Sequence, residues 1–258
     1  MDYAIDECNA ERQRLLATVL EPPTREVLAK LPKIPNARCL DLGCGQGNTT
    51  RLLAEVIRPA EVVGLEYDNA LVEYAAQAAS PSCVRFEQGD ATRLTFADGT
   101  FDIVFCRFLL LHMTDPLLVI REMLRVAKPG GLVIALEPDC AIDISYPDTP
   151  AMALINKVWK GLFPNPLIGR KLIALFNDAG AASVQAGAFT LIEHDASTLK
   201  RTYRLTAEAT GRAAETRGIL TADEVRTMID GLRQLEEDPG SVVIGFPNVW
   251  AMARRTLQ

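Results

Sequence analysis

The chain has 258 residues, 48% of them hydrophobic and 23% charged, an ordinary globular composition with enough apolar material to bury a large core. A formal net charge of −6 argues against a broad nucleic-acid surface, so nucleic acid is not an expected partner, although a local basic groove remains compatible with it. No stretch is long and apolar enough to span a membrane, since Phe101 to Met113 is interrupted by Asp102 and Arg107.

The acidic start, Met1 to Glu7, lacks a signal-peptide core, so the expected compartment is cytoplasmic. Residues 10–31 then read as an amphipathic helical region broken at Glu21-Pro22-Pro23 and resumed from Thr24 as an N-cap. Strands and helices alternate after that. Strands are expected at 38–42, 61–66, 84–88, 101–106 and 132–136, and helices at 48–57, 69–79 and 115–127. Lys128-Pro129-Gly130-Gly131 reads as a turn. This βαβ alternation implies an α/β fold, doubly wound around a mostly parallel sheet of seven strands with helices on both faces. The alternation lapses after residue 139. It returns as a helix at 169–179 and a strand at 183–192, then helices through 195–238 and a last strand from Ser241 to Arg254 bent at Phe246-Pro247-Asn248. The expected organisation is one domain over residues 1–258. N-terminal helices occupy 1–35, a ligand-binding core 36–139, and 140–168 with 195–240 are cap insertions. Six cysteines without a C-x-x-C pair read as reduced, buried thiols, and no metal set is apparent.

The chemistry concentrates in Arg38-Cys39-Leu40-Asp41-Leu42-Gly43-Cys44-Gly45-Gln46-Gly47-Asn48. An apolar strand meets an acidic residue, and glycines then fall at alternate positions ahead of a helix. Such a turn brings backbone N–H groups against a nucleotide-like ligand. The dinucleotide fingerprint G-x-G-x-x-G would need glycine at position 48, which is Asn48, and no P-loop is present. Glu66 closes the second strand about 20 residues on, where a carboxylate can accept from both ribose hydroxyls. Tyr67 is placed to lie against a base. Asp90, in Gly89-Asp90-Ala91 after the third strand, can accept from an exocyclic amine.

The form L-D-L-G-C-G-Q-G resembles the first motif of class I S-adenosylmethionine-dependent methyltransferases, and Gly89-Asp90-Ala91 and Asp98 to Val104 resemble later motifs of that family. Arg121 to Gly131 is similar to the helix-and-turn signature of its ubiquinone/menaquinone-biosynthesis type. Asn9 to Leu16 is similar to a leading helix of some members, and Pro166 to Leu172 with Asp178-Ala179-Gly180 resemble related small-molecule enzymes. The resemblance covers the chain to about residue 139 and is loose beyond it. It implies S-adenosyl-L-methionine as cofactor, with Asp41, Gly43, Gly45 and Gln46 close to its methionine part. Glu66 and Tyr67 would meet the ribose and base, Asp90 and Ala91 the adenine, and Arg107 the methionine carboxylate, through its backbone more than its side chain. The expected activity is methyl transfer to O, N or C of a small-molecule acceptor, and a homodimer is admitted.

A base is needed only if the acceptor must lose a proton. His112, just past the fourth strand, is a candidate for catalysis or for cofactor support. Glu137 and Asp139, at the carboxyl end of the fifth strand, are candidates to orient an acceptor or act as base. His194 reads as a surface residue. Tyr146, Trp159, Phe163, Tyr203 and Trp250 read as core more readily than as a substrate cage, and Lys200-Arg201-x-Tyr203-Arg204 as a solvated basic face. Two other readings stand beside methyl transfer: a cyclase or binding protein of the same fold, and an RNA or protein methyltransferase.

Overall fold

The computed structural model describes residues 7–193 and 198–257; His194 lies outside them. In chain order the elements are α1 (Glu7–Ala29), β1 (Arg38–Leu42), α2 (Asn48–Ile57), β2 (Glu61–Glu66), α3 (Asn69–Gln77) and β3 (Val84–Gln88). Then come β4 (Phe101–Arg107), α4 (Pro116–Val126), β5 (Ala127–Pro138), β6 (Ile144–Tyr146), α5 (Pro150–Leu162) and α6 (Leu172–Asp178). The last four are β7 (Ala182–Glu193), α7 (Thr198–Thr216), α8 (Ala222–Glu237) and β8 (Val242–Arg254). The chain divides into two compact units. A sheet unit comprises Pro23–Pro138, Ile168–Ala188 and Asn248–Gln258; a helical unit comprises Met1–Pro22, Asp139–Leu167 and Phe189–Pro247.

In the sheet unit the strand order is β3-β2-β1-β4-β5-β8, parallel up to β5 and antiparallel at β8, with β7 pairing on β8. Leu40 pairs with Val63 on one side and Val104 on the other. These residues, with Ile103, Phe105 and Val133 to Leu136, are completely buried. Near-continuous apolar strands of this kind belong to a parallel sheet covered on both faces. The chain steps outward from β1 to β2 and β3, then returns to place β4 on the other flank of β1. That reversal opens a crevice at the carboxyl ends of β1 and β4.

Two expectations need correction. The helix does not break at Pro22-Pro23: α1 runs through both prolines, and Thr24 is fully buried inside it rather than an N-cap. Proline's fixed φ is itself helical, so each ring removes a hydrogen bond without turning the chain, and buried Leu20, Val27 and Leu28 hold the segments on either side. Lys128 to Gly131 is not a turn ahead of a strand but a bulge within one. Ala127 already pairs with Phe101 and Leu132 with Ile103, so four residues face Asp102 alone. Gly130 there has φ +75°, and Lys128 Nζ lies 2.9 Å from both Asp102 oxygens.

In the helical unit α5, α7 and α8 enclose a core that includes Ile155, Trp159, Leu199, Tyr203, Met228 and Leu232. A capping box between Thr221 and Glu224 starts α8. Of the aromatics expected in the core, Trp159 and Tyr203 are buried there; Trp159 stacks with partly buried Phe163 at 6.1 Å and meets Tyr203 and Phe246 edge-on at 6.3 and 6.2 Å, whereas Tyr146 is 72% exposed and does not join them. Buried Asp143 accepts from Tyr203 Oη at 2.7 Å and Trp159 Nε1 at 2.8 Å. The basic face expected at 200–204 is solvated only at Arg201. Lys200 is 1% exposed and donates to the Asp238 carbonyl; Arg201 pairs with Glu11, and Arg204 with Glu208 and Glu236. Apart from Glu208, four residues on from Arg204, these partners lie far off in the linear sequence. Cys39, Cys44, Cys106 and Cys140 are buried free thiols, and burial pushes the Cys39 thiol up to about 12. Among the described residues no helix is long and apolar enough to cross a membrane, and no metal-ligating cluster occurs.

Candidate active site

The glycine loop after β1 has φ +66° at Gly43, +51° at Gly45 and +78° at Gly47, values that only glycine adopts without strain. The loop is tied to the end of β2. The N–H groups of Gly43 and Cys44 donate to the Leu65 carbonyl at 2.8 and 3.1 Å, and the Gly45 N–H donates to Glu66 Oε2 at 2.9 Å. The three glycines then part company. A Cβ on Gly47 would sit 2.5 Å from the Phe86 ring, and one on Gly43 2.9 Å from Leu109 Cδ1. A Cβ on Gly45 would meet nothing within 4 Å. The loop is therefore packed at both ends and open in the middle. Gly47 caps α2 with no side-chain hydrogen bond, which leaves the helix N-terminus to other acceptors. Arg51 steadies the turn by donating to the Gln46 carbonyl, and Gln46 is itself buried.

Asp41 lies under this loop, 1% exposed. Burial pushes its carboxyl up to about 7, opposed by the 2.7 Å hydrogen bond from Thr50 and by the nearby charge of Arg107. Glu66 Oε1 accepts from the Tyr67 and Asp68 N–H groups at 2.8 and 3.3 Å, beside the Gly45 bond on Oε2. Three of the four acceptor positions of a carboxylate are thus taken. Accepting from two ribose hydroxyls requires one of these bonds to give way, and the 3.3 Å one is the longest. Tyr67 is 74% exposed. Asp90 closes a turn on Thr92, whose N–H and hydroxyl both donate to Oδ1, and Ala91 is half-buried beside it.

Arg107 donates to Thr24 Oγ1 at 3.1 Å, which leaves its backbone the better candidate for ligand contact. Beyond it Phe108 has φ +55°, and a 3₁₀ turn over Leu110–His112 follows. His112 is half-buried and donates its N–H to the Leu109 carbonyl. Glu137 does not have the geometry expected of it. It is 0% exposed, and its carboxylate receives the N–H groups of Leu109, Leu110 and Leu111 at 2.9, 2.8 and 3.3 Å. Burial pushes it up to about 8 against those three bonds. A carboxylate sealed in this way has no oxygen with which to reach an acceptor. Asp139 falls in the helical unit, 4% exposed, with its N–H on the Pro247 carbonyl.

The sheet unit therefore gathers Asp41, the glycine loop, Glu66, Tyr67, Asp90, Ala91, Arg107 and His112 at the carboxyl ends of β1 to β4, with Glu137 anchoring the turn beneath His112. Thr50, Phe86 and Leu109 also belong to this arrangement. No motif marks them, because they become neighbours of the loop only through the sheet crossovers.

Residues 40–135 match the family model described as "Methyltransferase domain". A demethylmenaquinone methyltransferase from Lactiplantibacillus plantarum is 35% identical over 57% of this chain and 61% of its own length. An uncharacterized 37.1 kDa protein in transposon TN4556 of Streptomyces fradiae is 33% identical over 66% of this chain and 50% of its own. The chain thus spans about two fifths to three fifths of the length of the curated relatives it matches. The fold of the methyltransferase domain recurs in the crystal structure of the YcgJ protein from Bacillus subtilis, with a TM-score of 0.62 at 21% identity, covering 92% of this chain and 97% of that one.

Proposed function

We propose that the protein transfers a methyl group from S-adenosyl-L-methionine to O, N or C of a small-molecule acceptor in the cytoplasm. The observation that carries this reading is the open centre of the glycine loop: Gly45 alone of the three glycines faces unfilled space, directly bonded to the carboxylate of Glu66. A nucleoside with a cationic tail fits the donor set around it. Glu66 offers a carboxylate to ribose hydroxyls, and Asp90 offers one at the β3 end for an adenine amine. Asp41 sets a buried carboxyl group below the loop, with oxygens that can accept from an ammonium group.

When bound, the cofactor supplies an electrophilic methyl group on a positively charged sulfur. The chain's own task is to align the acceptor and exclude water, since positioning accounts for much of the barrier lowering in such a displacement. Asp41 is held by Thr50 and Glu66 by three backbone N–H groups, so the charges are oriented before the ligand arrives. The backbone after Arg107 is our candidate for the rim, and His112, in the turn beyond it, our candidate to take a proton from an acceptor that must lose one.

The test is calorimetric titration with S-adenosylhomocysteine, followed by incubation with methyl-labelled cofactor and a metabolite extract. Binding together with labelled product is the expected result. Binding without product points to a cyclase or binding role instead, and an absence of binding refutes the reading.

A further inference from the structure

We propose that Glu137 is a positioning residue that locks the turn Phe108–His112 against the glycine loop and so sets the binding geometry at Gly43. The proposal rests on the cofactor site assigned above. Three successive N–H groups converge on one fully buried carboxylate, and the chain reaches this arrangement by placing Phe108 in the left-handed region at φ +55°. A phenylalanine in that region is strained by about 1–2 kcal/mol, so the surroundings must hold it there. Glu137 is the group in place to do so. Successive N–H groups around such a residue form a concavity that fits acceptor oxygens, and here those oxygens belong to the protein.

The lock reaches the ligand site in one step. Leu109 gives its N–H to Glu137 Oε1 and places its side chain where a Cβ on Gly43 would be only 2.9 Å from Cδ1. Gly43 in turn donates to Leu65 at the end of β2, one residue before Glu66. On the other side of the turn, the His112 N–H closes on the Leu109 carbonyl. Glu137 therefore touches neither cofactor nor acceptor. It fixes Leu109, and Leu109 fixes both the loop and the backbone of His112.

Glu137→Leu and Glu137→Gln test this on the full chain, with S-adenosylhomocysteine as the probe. The leucine variant removes every acceptor; the glutamine keeps one oxygen for Leu109 and Leu110 but turns a donor toward the Leu111 N–H. Three quantities are read for each: amide hydrogen exchange at 109–112, probe affinity by calorimetry, and the unfolding midpoint. Ile120→Val, a buried change in α4, serves as a stability control that leaves the turn untouched. The expected result is faster exchange at 109–111 and about a tenfold affinity loss for Glu137→Leu. Glu137→Gln should restore most of that affinity and exchange faster at Leu111 alone, and the control should bind as wild type. Wild-type affinity in folded Glu137→Leu overturns the proposal. If that variant does not fold, wild-type exchange and affinity in Glu137→Gln overturn it. A wild-type protein that does not bind the probe refutes the cofactor assignment instead.

Discussion

Gly45→Ala and Gly47→Ala make the same chemical change two residues apart, yet the structure assigns them opposite consequences. Both positions have positive φ, +51° and +78°, so each alanine carries a strain of about 1–2 kcal/mol. At Gly45 nothing adds to it, because the new methyl meets no atom within 4 Å. At Gly47 the methyl would lie 2.5 and 2.6 Å from Phe86 ring carbons and 2.9 Å from Arg51 Nη1. Overpacking of this kind costs about a further 1–3 kcal/mol. Gly47→Ala should therefore lower stability by about 2–5 kcal/mol and Gly45→Ala by no more than about 2 kcal/mol. Binding should rank the other way. The Gly45 methyl projects into the space assigned to the cofactor, and it should weaken S-adenosylhomocysteine by at least about tenfold, or 1.4 kcal/mol. Urea titration gives the first quantity and calorimetry the second, in one buffer at one temperature. A Gly45→Ala protein that binds the probe within about twofold of wild type would refute the close-approach argument.

Glu66→Ala removes the acceptor assigned to the ribose hydroxyls, and two charge-assisted bonds lost together should weaken the probe by about 10²-fold or more; equal affinity sinks the assignment. Thr50→Val deletes the 2.7 Å bond to buried Asp41 and should destabilise the sheet unit by about 1.5–3 kcal/mol, a loss that urea unfolding would register and whose absence counts against the pairing. Burial holds Asp143 up to about 6, against 3.8 when unfolded, so between those values the native helical unit binds more protons than the unfolded chain. Stability should accordingly decline as pH rises from about 4 to about 6. Asp143→Asn should flatten that decline in a series of urea midpoints, and an unchanged slope contradicts the assignment.

Much of the fold was legible because local signals and burial agree along β1, α2, β2 and β3. Each of these elements is followed within two residues by glycine or proline or ends on an acidic residue, and each has the bounds read from the sequence. Where burial outweighs a local signal, the sequence misleads. Pro22-Pro23 and Lys128-Pro129-Gly130-Gly131 carry breaker residues, yet α1 and β5 continue through them. In the candidate site, the positions of Asp41, Glu66 and Asp90 at or after strand ends were legible because the fold sets that spacing. Glu137 was legible as a position and not as a role. Nothing within its own neighbourhood says that residues 26–28 positions upstream turn three N–H groups onto it. Lys200 shows the same gap, since its partner carbonyl lies 38 residues away.

The polar groups of the sheet unit also share a habit that explains why one half of the chemistry is easier to read than the other. Asp41 holds Thr50, Glu66 holds Gly45, Tyr67 and Asp68, Asp90 holds Thr92, and Glu137 holds the turn at 109–111. Glu66 and Glu137 spend most of their acceptor capacity on backbone N–H groups, and that backbone shapes the loop and the turn beside it. A site built this way needs its acidic residues and glycines at set positions, so it leaves a pattern in the sequence. Aligning a methyl acceptor asks only for a cavity of the right shape and, for some acceptors, one base. Many packings satisfy that demand, and none of them requires a particular residue type at a particular spacing. Under the proposed function, an acceptor is therefore to be identified by binding experiments rather than by any further reading of motifs.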